Sequence, residues 1–573
     1  MSSIKNRNLR KYGGKGKFPT ILLEILVLCI IAASIFLPRW AKLNRVVTPD
    51  EVYWFNRSGS FNLALYQGDF AQTYQKEHPG VTLMWVGAIA YDHLFQEYLD
   101  HNPEYRDQIT KNYFIKSVAR QNPLATLVES RKILAIVNTI ILLLAYWFAR
   151  RMMGVGPALI GFALIAFDPF HLALTRLMHL DGLLANFYLL SLLAYIHFTE
   201  ERKPFAILIS GISAGLAWLT KSPGFILIPT LGLVVLLQIW RKMRLDPQTS
   251  RIKVIWSEAW PLTVWGIIGT IVFFAAWPAM WVIPREALSE VFGMAHTYAT
   301  EGHSSRIFFN GQIIDGNQFG LRYFYFYPLT YLWRITPIVM IGLTAFILGT
   351  LRKRKPLADP KVRWSSTILL IAIFIYIFAM TLGFKKFDRY IIHVYAPFDI
   401  LAVLGWYAWI LWLKGKLPSR VRKASIPIAI SFIFSLQAFC FLRVFPNMLA
   451  YYNPLMGGSR NAPDVMQIGW GEGLDLAALY LNQKSDAENL MVTSWYGDGP
   501  FSFFFKGETF DMPGLTLTKD SWENINASDY IVTYIHQWQR NMPEDLLPIL
   551  ATQEPEHTIW INGIEYIRIY KRE

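Results

Sequence analysis

Cysteine, charge and cleavage signals are scarce in this sequence, and each scarcity excludes a class of protein. The two cysteines, Cys29 and Cys440, both lie in long apolar runs, which excludes a disulfide-stabilised framework. Only 17% of the 573 residues are charged and 53% are hydrophobic, which excludes an ordinary soluble enzyme of this length. The first apolar run, residues 18–38, lacks a small-residue cleavage site, so it predicts a retained transmembrane helix rather than a signal peptide.

Basic residues outnumber acidic ones, 55 to 41, for a net charge of +14. The basic residues fall mainly in short clusters between apolar stretches, where they are expected to set membrane orientation. A nucleic-acid partner is therefore the weaker interpretation of this charge.

Long apolar stretches dominate the chain, and eleven of them are long enough to cross a bilayer. They lie near residues 18–38, 133–149, 155–170, 181–199, 205–220, 223–240, 261–282, 328–350, 365–384, 392–413 and 424–442. The sequence therefore predicts a polytopic α-helical membrane protein with about eleven transmembrane helices and the lipid bilayer as a partner.

Alternate loops are basic, as the positive-inside rule requires. With the basic N-terminus, Lys5 to Lys17, in the cytoplasm, the predicted inside loops are 150–151, 202–203, 241–253, 352–355 and 414–423. Counting residues 81–99 as a twelfth span would break this pattern, and the segment carries Asp92 and His93. We therefore interpret it as a helix that lies at the outer interface.

Two regions remain outside the membrane: a first outer loop, 39–132, and the tail, 445–573. In the tail, the pattern predicts one helix and three short strands, at residues 472–482, 490–495, 530–535 and 564–570. The predicted organisation is a transmembrane domain over residues 1–444, which includes the first loop, followed by a small α/β extracytoplasmic domain. The protein is expected in the plasma membrane as a multi-pass protein with a cytoplasmic N-terminus.

Two adjacent carboxylates, Asp50 and Glu51, follow Thr48-Pro49 about a dozen residues beyond the first span. A carboxylate at this depth can accept a proton from an attacking hydroxyl group, which is the work of a general base. Acidic residues after a proline are also typical of a helix N-terminus, so a capping role is the alternative.

The segment Arg176 to Asp181, which includes His179, lies at the outer boundary between two predicted spans. Charged groups at such a boundary are costly unless they face protein or water, so they indicate a functional site. A structural ion pair between Arg176 and Asp181 is the alternative. A metal site formed by His171, His179 and Asp181 is weaker, because the spacing fits no specific metal template.

Several basic residues fall on the outer face, against the topology rule: Lys221, Arg322, Lys385, Lys386 and Arg389. At the level of lipid headgroups, lysine and arginine can bind an anionic lipid phosphate. Interfacial anchoring is the alternative for any single one of them.

Taken together and in this order, these features resemble the GT-C superfamily of glycosyltransferases that use lipid-carried donors. The likeness is strongest to its protein O-mannosyltransferase and aminoarabinose transferase branch. The segments that carry it are short and spread over nearly the whole chain. They are Asp50-Glu51, His78-Pro79-Gly80, Arg176 to Leu184, Gly215 to Lys221, Asp388-Arg389-Tyr390, Tyr451 to Leu455 and Gly469 to Leu474.

The resemblance implies a GT-C fold and inverting transfer of a sugar from a polyprenyl-phosphate carrier to an extracytoplasmic acceptor. By resemblance, Asp50 is the general base and Glu51 helps to orient the acceptor or the base. The donor phosphate is expected to bind Arg176, Lys221, Lys385 and Arg389, with His78, His179, Asp181 and Tyr390 in support. The basic cluster can stabilise the leaving phosphate without an obligatory metal, although a divalent metal stays an alternative.

The acceptor stays open among protein Ser/Thr, a glycolipid and a cell-envelope glycan. A lipid-linked glycan transporter or flippase is a rival, but the charged groups gather at outer helix ends and no internal repeat is evident. A non-catalytic envelope assembly protein is a second rival.

Overall fold

The computed structural model describes residues 17–301, 306–422, 424–512, 514 and 516–572. The basic N-terminal cluster from Lys5 to Lys15 lies outside the described residues. Most of the described chain is helical, and a small mixed sheet lies near its carboxyl end. The predicted class, a polytopic helical protein with a small C-terminal α/β domain, is confirmed.

The α-helices of six or more residues fall into two groups along the chain. The first group is α1 (Lys17–Trp40), α2 (Pro49–Gln67), α3 (Val81–His101), α4 (Pro123–Met153), α5 (Val155–Phe167), α6 (Pro169–Arg176), α7 (Leu180–Glu201), α8 (Pro204–Thr220), α9 (Leu227–Leu245), α10 (Arg251–Ala275) and α11 (Pro284–Thr300). The second group is α12 (Phe326–Arg334), α13 (Pro337–Leu351), α14 (Pro360–Leu382), α15 (Tyr395–Lys416), α16 (Ser425–Leu442), α17 (Gly458–Val465), α18 (Leu474–Leu481), α19 (Lys519–Ala527) and α20 (Ile535–Arg540).

Seven helices of the described chain are long and apolar enough to cross a membrane, and two bent pairs raise the number to nine if each is one span. The seven include α4, α7, α10, α14 and α16, together with the helical stretches that contain α9 and α15. The remaining predicted spans fall on α1 and on α8, an apolar helix of 17 residues. Each predicted stretch is therefore helical, while the total of eleven stays a prediction.

Two of the predicted spans are bent rather than straight. Helices α5 and α6 meet at 64°, where Asp168 caps α6 by accepting the His171 backbone N–H at 2.7 Å. Helices α12 and α13 meet at 118°, where Thr336 caps α13 and Pro337 begins it. The predicted span 328–350 is corrected accordingly: its straight part begins at Pro337, because a proline cannot continue the preceding helix.

Two of the predicted inside loops, 202–203 and 241–253, lie together at one end of the helix bundle. Glu258, in α10, forms ion pairs with Arg202 after α7 and with Lys242 in α9. At the start of α14, Lys361 lies 3.1 Å from Glu200. Two predicted basic loops and the start of α14 thus share one end of the bundle, while the assignment of that end to the cytoplasm stays a prediction.

The first outer loop contains the two helices α2 and α3, which pack against each other. The Phe55 and Tyr91 rings stack with centroids 5.5 Å apart, and the Asn62 amide donates to the Ala88 carbonyl at 2.9 Å. The segment expected at the outer interface is α3, and it is not among the candidate spans of the described residues.

The C-terminal domain is built on a five-stranded sheet with the order β4-β3-β5-β7-β6. Its strands are β3 (Met491–Ser494), β4 (Glu508–Asp511), β5 (Tyr530–Tyr534), β6 (His557–Ile561) and β7 (Ile564–Lys571). Strand β3 pairs in parallel with β4 and β5, and β7 is antiparallel to β5 and β6. The predicted helix and three strands are confirmed as α18, β3, β5 and β7, whereas β4 and β6 were not predicted.

A hairpin from the transmembrane domain, β1 (Arg306–Phe309) and β2 (Gln312–Asp315), lies against the C-terminal domain. The Asn310 N–H donates to the Val465 carbonyl at 2.8 Å, and the Phe308 N–H donates to Gln467 Oε1 at 3.0 Å.

The C-terminal domain also contacts α2 and the segment before it. Gly499 and Gly471 both have positive φ, at +90° and +112°. A Cβ at Gly499 would overlap the Val52 side chain, and one at Gly471 would overlap the Val47 carbonyl. Glycine at these positions lets the domain approach the first turn of α2 closely.

Candidate active site

The first turn of α2 separates the two neighbouring carboxylates. Thr48 is the N-cap, Pro49 occupies the first helical position, and Glu51 accepts the Thr48 backbone N–H at 2.9 Å in a capping box. The Glu51 side chain is fully buried, while the Asp50 side chain is 34% exposed and lines a cavity. The capping interpretation therefore applies to Glu51, whereas the Asp50 side chain faces the cavity.

Glu51 binds only protein groups, and it does so with both oxygens. Arg131 of α4 donates from Nε to Oε1 at 2.8 Å and from Nη2 to Oε2 at 2.5 Å. The Met178 backbone N–H donates to Oε1 at 2.6 Å. The predicted catalytic role of Glu51 does not fit this placement, because the carboxylate joins α2 to α4 and does not line the cavity.

Asp50 lies between a histidine and an arginine. Its Oδ2 atom is 3.4 Å from His179 Nε2 and 3.5 Å from Arg389 Nη2. The Asp181 backbone N–H donates to His179 Nδ1 at 3.3 Å, and Asp181 Oδ2 lies 3.5 Å from the same nitrogen, so His179 links Asp50 to Asp181.

The pKa of Asp50 reflects these two neighbours. Burial by itself raises it, but the His179 hydrogen bond and the Arg389 charge outweigh burial and lower the pKa to about 2. Asp50 is therefore a carboxylate at neutral pH.

Asp181 connects the other members of the cluster. Its Oδ1 atom lies 2.7 Å from Lys221 Nζ, and its Oδ2 atom lies 3.6 Å from Arg389 Nε. Since Arg389 also contacts Asp50, the two carboxylates hold one guanidinium between them.

The two predicted donor-binding lysines each lie over an aromatic ring. Lys221 Nζ is 4.5 Å from the centre of the Tyr390 ring, and Lys385 Nζ is 4.0 Å from that of Tyr298. Burial, together with the charges of Lys221 and Arg389, lowers the pKa of Lys385 to about 8.

His78 stacks on Tyr298, the ring that also lies under Lys385, with ring centres 5.3 Å apart. Burial and the positive charges of Lys221 and Lys385 lower the pKa of His78 to about 3. His78 is therefore neutral at physiological pH and can offer a single N–H to a ligand.

Arg176, the fourth predicted phosphate ligand, lies away from the cluster. Its guanidinium donates to the backbone carbonyls of Ala41 and Lys42, the latter at 2.8 Å, and the residue is only 5% exposed. The Asp181 side chain pairs with Lys221 and not with Arg176. We correct both predictions: Arg176 holds the segment after α1, and the alternative Arg176–Asp181 ion pair does not form.

Three further candidate residues do not contact the Asp50 cluster, although Lys386 lines the larger cavity. Lys386 donates to the Thr381 and Gly383 carbonyls at the end of α14, at 2.6 and 2.7 Å. His171 contacts Asn186 and Arg39 in the helix bundle rather than the Asp50 cluster, and Arg322 is exposed.

The cluster borders a cavity of 640 Å³ and a smaller one of 230 Å³. Five residues line both: His78, Lys221, Tyr298, Lys385 and Tyr390. Asp50 and Arg389 line the larger cavity, whereas the smaller one runs between apolar side chains of α11 and α14. A ligand with an anionic centre and an apolar chain fits this pair of cavities.

The C-terminal domain covers the larger cavity with residues that were not among the predicted site residues. Trp470 lies over the Arg389 guanidinium at 4.2 Å and meets the His179 ring edge-to-face at 4.9 Å. Tyr496 and His536 line the same wall. Trp470 falls within the segment Gly469 to Leu474 of the family resemblance, and that segment could have indicated it. No sequence pattern indicated Tyr496 or His536.

Arg57 and Arg334 also line the larger cavity and were not predicted. Arg57 lies over the Trp54 ring at 4.7 Å, and Arg334 pairs with Asp388 at 2.7 Å. Arg57 follows Asp50 by two helical turns, a spacing that could have flagged it.

A family model described as dolichyl-phosphate-mannose-protein mannosyltransferase matches residues 80–284. This segment contains the Arg176 to Asp181 and Gly215 to Lys221 motifs, and the match confirms the resemblance seen in the sequence. Asp50, Lys385 and Arg389 lie outside it. No curated protein sequence matches the chain.

Among solved structures, the chain is similar to ArnT from Cupriavidus metallidurans bound to undecaprenyl phosphate. The identity is 12% and the TM-score 0.47, over 96% of this chain and 98% of that one. It is also similar to the oligosaccharyltransferase AglB from Archaeoglobus fulgidus in complex with an inhibitory peptide and a dolichol-phosphate. There the identity is 14% and the TM-score 0.45, over 96% and 74% of the two chains. A third similar structure is the S. cerevisiae protein O-mannosyltransferase Pmt1-Pmt2 complex bound to the sugar donor. There the identity is 16% and the TM-score 0.35, over 50% of this chain and 39% of that one.

Proposed function

We propose that this chain is a membrane-bound inverting glycosyltransferase that moves a sugar from a polyprenyl-phosphate carrier to an acceptor hydroxyl group. One observation carries the proposal: an ionised carboxylate, Asp50, lies beside Arg389 next to the lysine-bearing wall that two cavities share. The family match over residues 80–284 supports the same class of reaction.

In this proposal the donor phosphate lies at the shared wall, against Lys221, Lys385 and Arg389. Ammonium and guanidinium groups are the usual protein ligands of phosphate, and arginine can bind it through two N–H groups. The prenyl chain extends through the smaller, apolar cavity, and the sugar points into the larger one beside Asp50.

The reaction is a single displacement at the anomeric carbon. The acceptor oxygen forms a bond to that carbon while Asp50 takes the hydroxyl proton, and the bond from the carbon to the phosphate oxygen breaks. Polyprenyl phosphate leaves with the electron pair, and the three cations stabilise its negative charge. Attack opposite the leaving group inverts the anomeric centre.

The donor would also adjust the base. In the free protein Arg389 helps to hold the pKa of Asp50 at about 2, which is low for a general base. An anionic phosphate beside Arg389 would offset its charge and raise the pKa of Asp50, in the direction that proton transfer needs. His179 and Asp181 are positioning residues that orient Asp50 and Arg389, and Tyr390 supports Lys221.

The remaining assignments are part of the proposal. The acceptor is a hydroxyl group of protein Ser/Thr, a glycolipid or a cell-envelope glycan. The site and the C-terminal domain face the extracytoplasmic side of the plasma membrane. Because three side-chain cations already surround the leaving phosphate, we expect transfer to survive treatment with EDTA.

The test combines purified protein, a panel of radiolabelled polyprenyl-phosphate sugars and a membrane extract from cells that lack the chain. The extract supplies the natural acceptor, and label that moves from the lipid into the extract measures transfer. Transfer by the unaltered protein and its loss in Asp50→Asn would support the proposal. Absence of both transfer and donor hydrolysis with every sugar of the panel would refute it.

A further inference from the structure

A chain of polar side chains lies in the C-terminal wall of the larger cavity. It runs from the Phe308 backbone N–H through Gln467 and His536 to Tyr496. The Tyr496 hydroxyl is 2.7 Å from His536 Nδ1, and Gln467 Nε2 contacts His536 Nε2. Tyr496, Gln467 and His536 all line the cavity, and the mechanism above uses none of them.

The hydrogen bonds of this chain have a definite direction. The Phe308 N–H donates to Gln467 Oε1 at 3.0 Å, so the Gln467 amide nitrogen faces His536 and donates to its Nε2. Burial and the charge of Arg540 hold the pKa of His536 well below its usual value, so the ring is neutral and its one hydrogen lies on Nδ1. Nδ1–H therefore donates to the Tyr496 oxygen.

The consequence is that no hydrogen bond among the described residues uses the Tyr496 hydroxyl hydrogen. Its oxygen already accepts a hydrogen bond from His536, so the O–H can donate to another group. Burial raises the pKa of Tyr496 to about 12, and Asp50 and Arg389 lie near enough for their charges to act on it. The phenol thus keeps its hydrogen at neutral pH and shares the cavity with the reacting groups.

The backbone at Tyr496 supports a functional reading of this position. Its φ of 55° and ψ of 43° are left-handed, a conformation that costs a bulky residue energy and collects at functional sites. The flanking residues hold it there: the Trp495 N–H donates to the Val532 carbonyl at 3.2 Å and the Gly497 N–H to Asp511 at 2.7 Å.

We infer that the Tyr496 hydroxyl donates a hydrogen bond to an oxygen atom of the acceptor substrate and so positions the attacking hydroxyl group towards Asp50. The inference rests on the proposed glycosyl transfer and deepens it, since it gives the C-terminal domain the role of acceptor recognition. The acceptor class is one with a second oxygen close to its nucleophilic hydroxyl.

Two isosteric variants test the inference by different routes. Tyr496→Phe removes the donor outright. Gln467→Glu replaces the amide N–H by a carboxylate oxygen, which requires His536 to carry its hydrogen on Nε2. His536 Nδ1 then becomes an acceptor and takes up the Tyr496 hydrogen. Tyr480→Phe is the matched control, because Tyr480 donates to Glu556 in the same domain and lines neither cavity.

The assay measures transfer of label from the polyprenyl-phosphate sugar. The donor is kept at a saturating concentration, and the concentration of membrane extract from cells that lack the chain is varied. We expect the half-saturating extract concentration to rise about tenfold in Tyr496→Phe and in Gln467→Glu, the loss of one hydrogen bond. The double variant should show no larger rise, and Tyr480→Phe should show none. The half-saturating donor concentration should stay as in the unaltered protein.

The possible failures are distinguishable. If the unaltered protein transfers sugar but both variants keep its extract dependence, or if only their thermal stability changes, Tyr496 has no role in acceptor binding. A rise in the half-saturating donor concentration instead would assign Tyr496 to the donor and overturn the inference. If the unaltered protein neither transfers nor hydrolyses the donor, the proposed function itself fails.

Discussion

Exchanging each member of the Asp50-Glu51 pair for its amide separates chemistry from stability. Asp50→Asn keeps the size of the side chain but cannot accept the hydroxyl proton. Its partners, His179 and Arg389, lie at 3.4 and 3.5 Å, so the carboxylate contributes at most about 1 kcal/mol to folding as a partly exposed ion pair. Loss of a general base typically lowers a rate by about 100- to 10,000-fold. We therefore expect transfer to collapse while the fold and donor binding persist.

Glu51→Gln should do the reverse. The Glu51 side chain is fully buried and bound to Arg131 at 2.5 Å, so the amide leaves a buried guanidinium without its counter-charge. Removing one partner of a buried ion pair costs about 3–5 kcal/mol. We expect a clearly lower thermal midpoint and, in the fraction that stays folded, a smaller loss of transfer than in Asp50→Asn.

The assay is single-turnover transfer with the donor prebound, beside thermal unfolding in the same detergent and a separate measurement of donor binding. Near-normal transfer by Asp50→Asn would refute the mechanism. A Glu51→Gln variant that is as stable as the unaltered protein but inactive would place the base one residue further along and contradict the structural role of Glu51.

Three further predictions follow from the charges. Because burial lowers the pKa of Lys385 to about 8, its positive charge is present below that pH and is lost as the pH rises through it. The kcat/KM for donor should therefore fall above about pH 8, and Lys385→Arg should abolish that fall; an unchanged alkaline limb in Lys385→Arg would assign it to another group. Arg389→Ala should raise the donor KM, because it loses about 1.5–3 kcal/mol of phosphate binding. Arg176→Ala should lower the stability of the fold and leave the donor KM unchanged. Equal donor KM values in the two variants would contradict the assignment of Arg389 to the donor and of Arg176 to the fold. A tag inserted within residues 352–355 should lie in the cytoplasm, and a tag at the carboxyl terminus should lie on the opposite side of the membrane. Two tags on the same side would refute the eleven-span topology.

Much of the fold was predictable because it depends on local composition. A stretch of about twenty apolar residues must be helical in a bilayer, since its backbone polar groups can be satisfied only within the segment. For this reason each predicted span coincides with a helix or a bent pair of helices. The bend between α12 and α13 was missed, because the hydropathy of residues 328–350 continues through Pro337 although the helix does not.

The membership of the site was predictable only in part. Motif order pointed to Asp50, His179, Asp181, Lys221 and Arg389, and the structure brings all five together. The sequence alone thus determined a membrane protein with helix ends that carry an acidic and a basic cluster, because hydropathy and charge are properties of each segment by itself.

The tertiary structure decided which neighbour does what. Glu51 and Asp50 are adjacent in the sequence, but Arg131, which is eighty residues from Glu51, binds the Glu51 carboxylate. The Asp50 side chain faces the cavity instead. Arg176 precedes Asp181 by five residues, yet Asp181 pairs with Lys221 from another helix end. Tyr496 reaches the same cavity from beyond the last span. Such partnerships depend on how helices rotate and which distant segments pack together, and a buried charge accepts whichever partner that packing supplies.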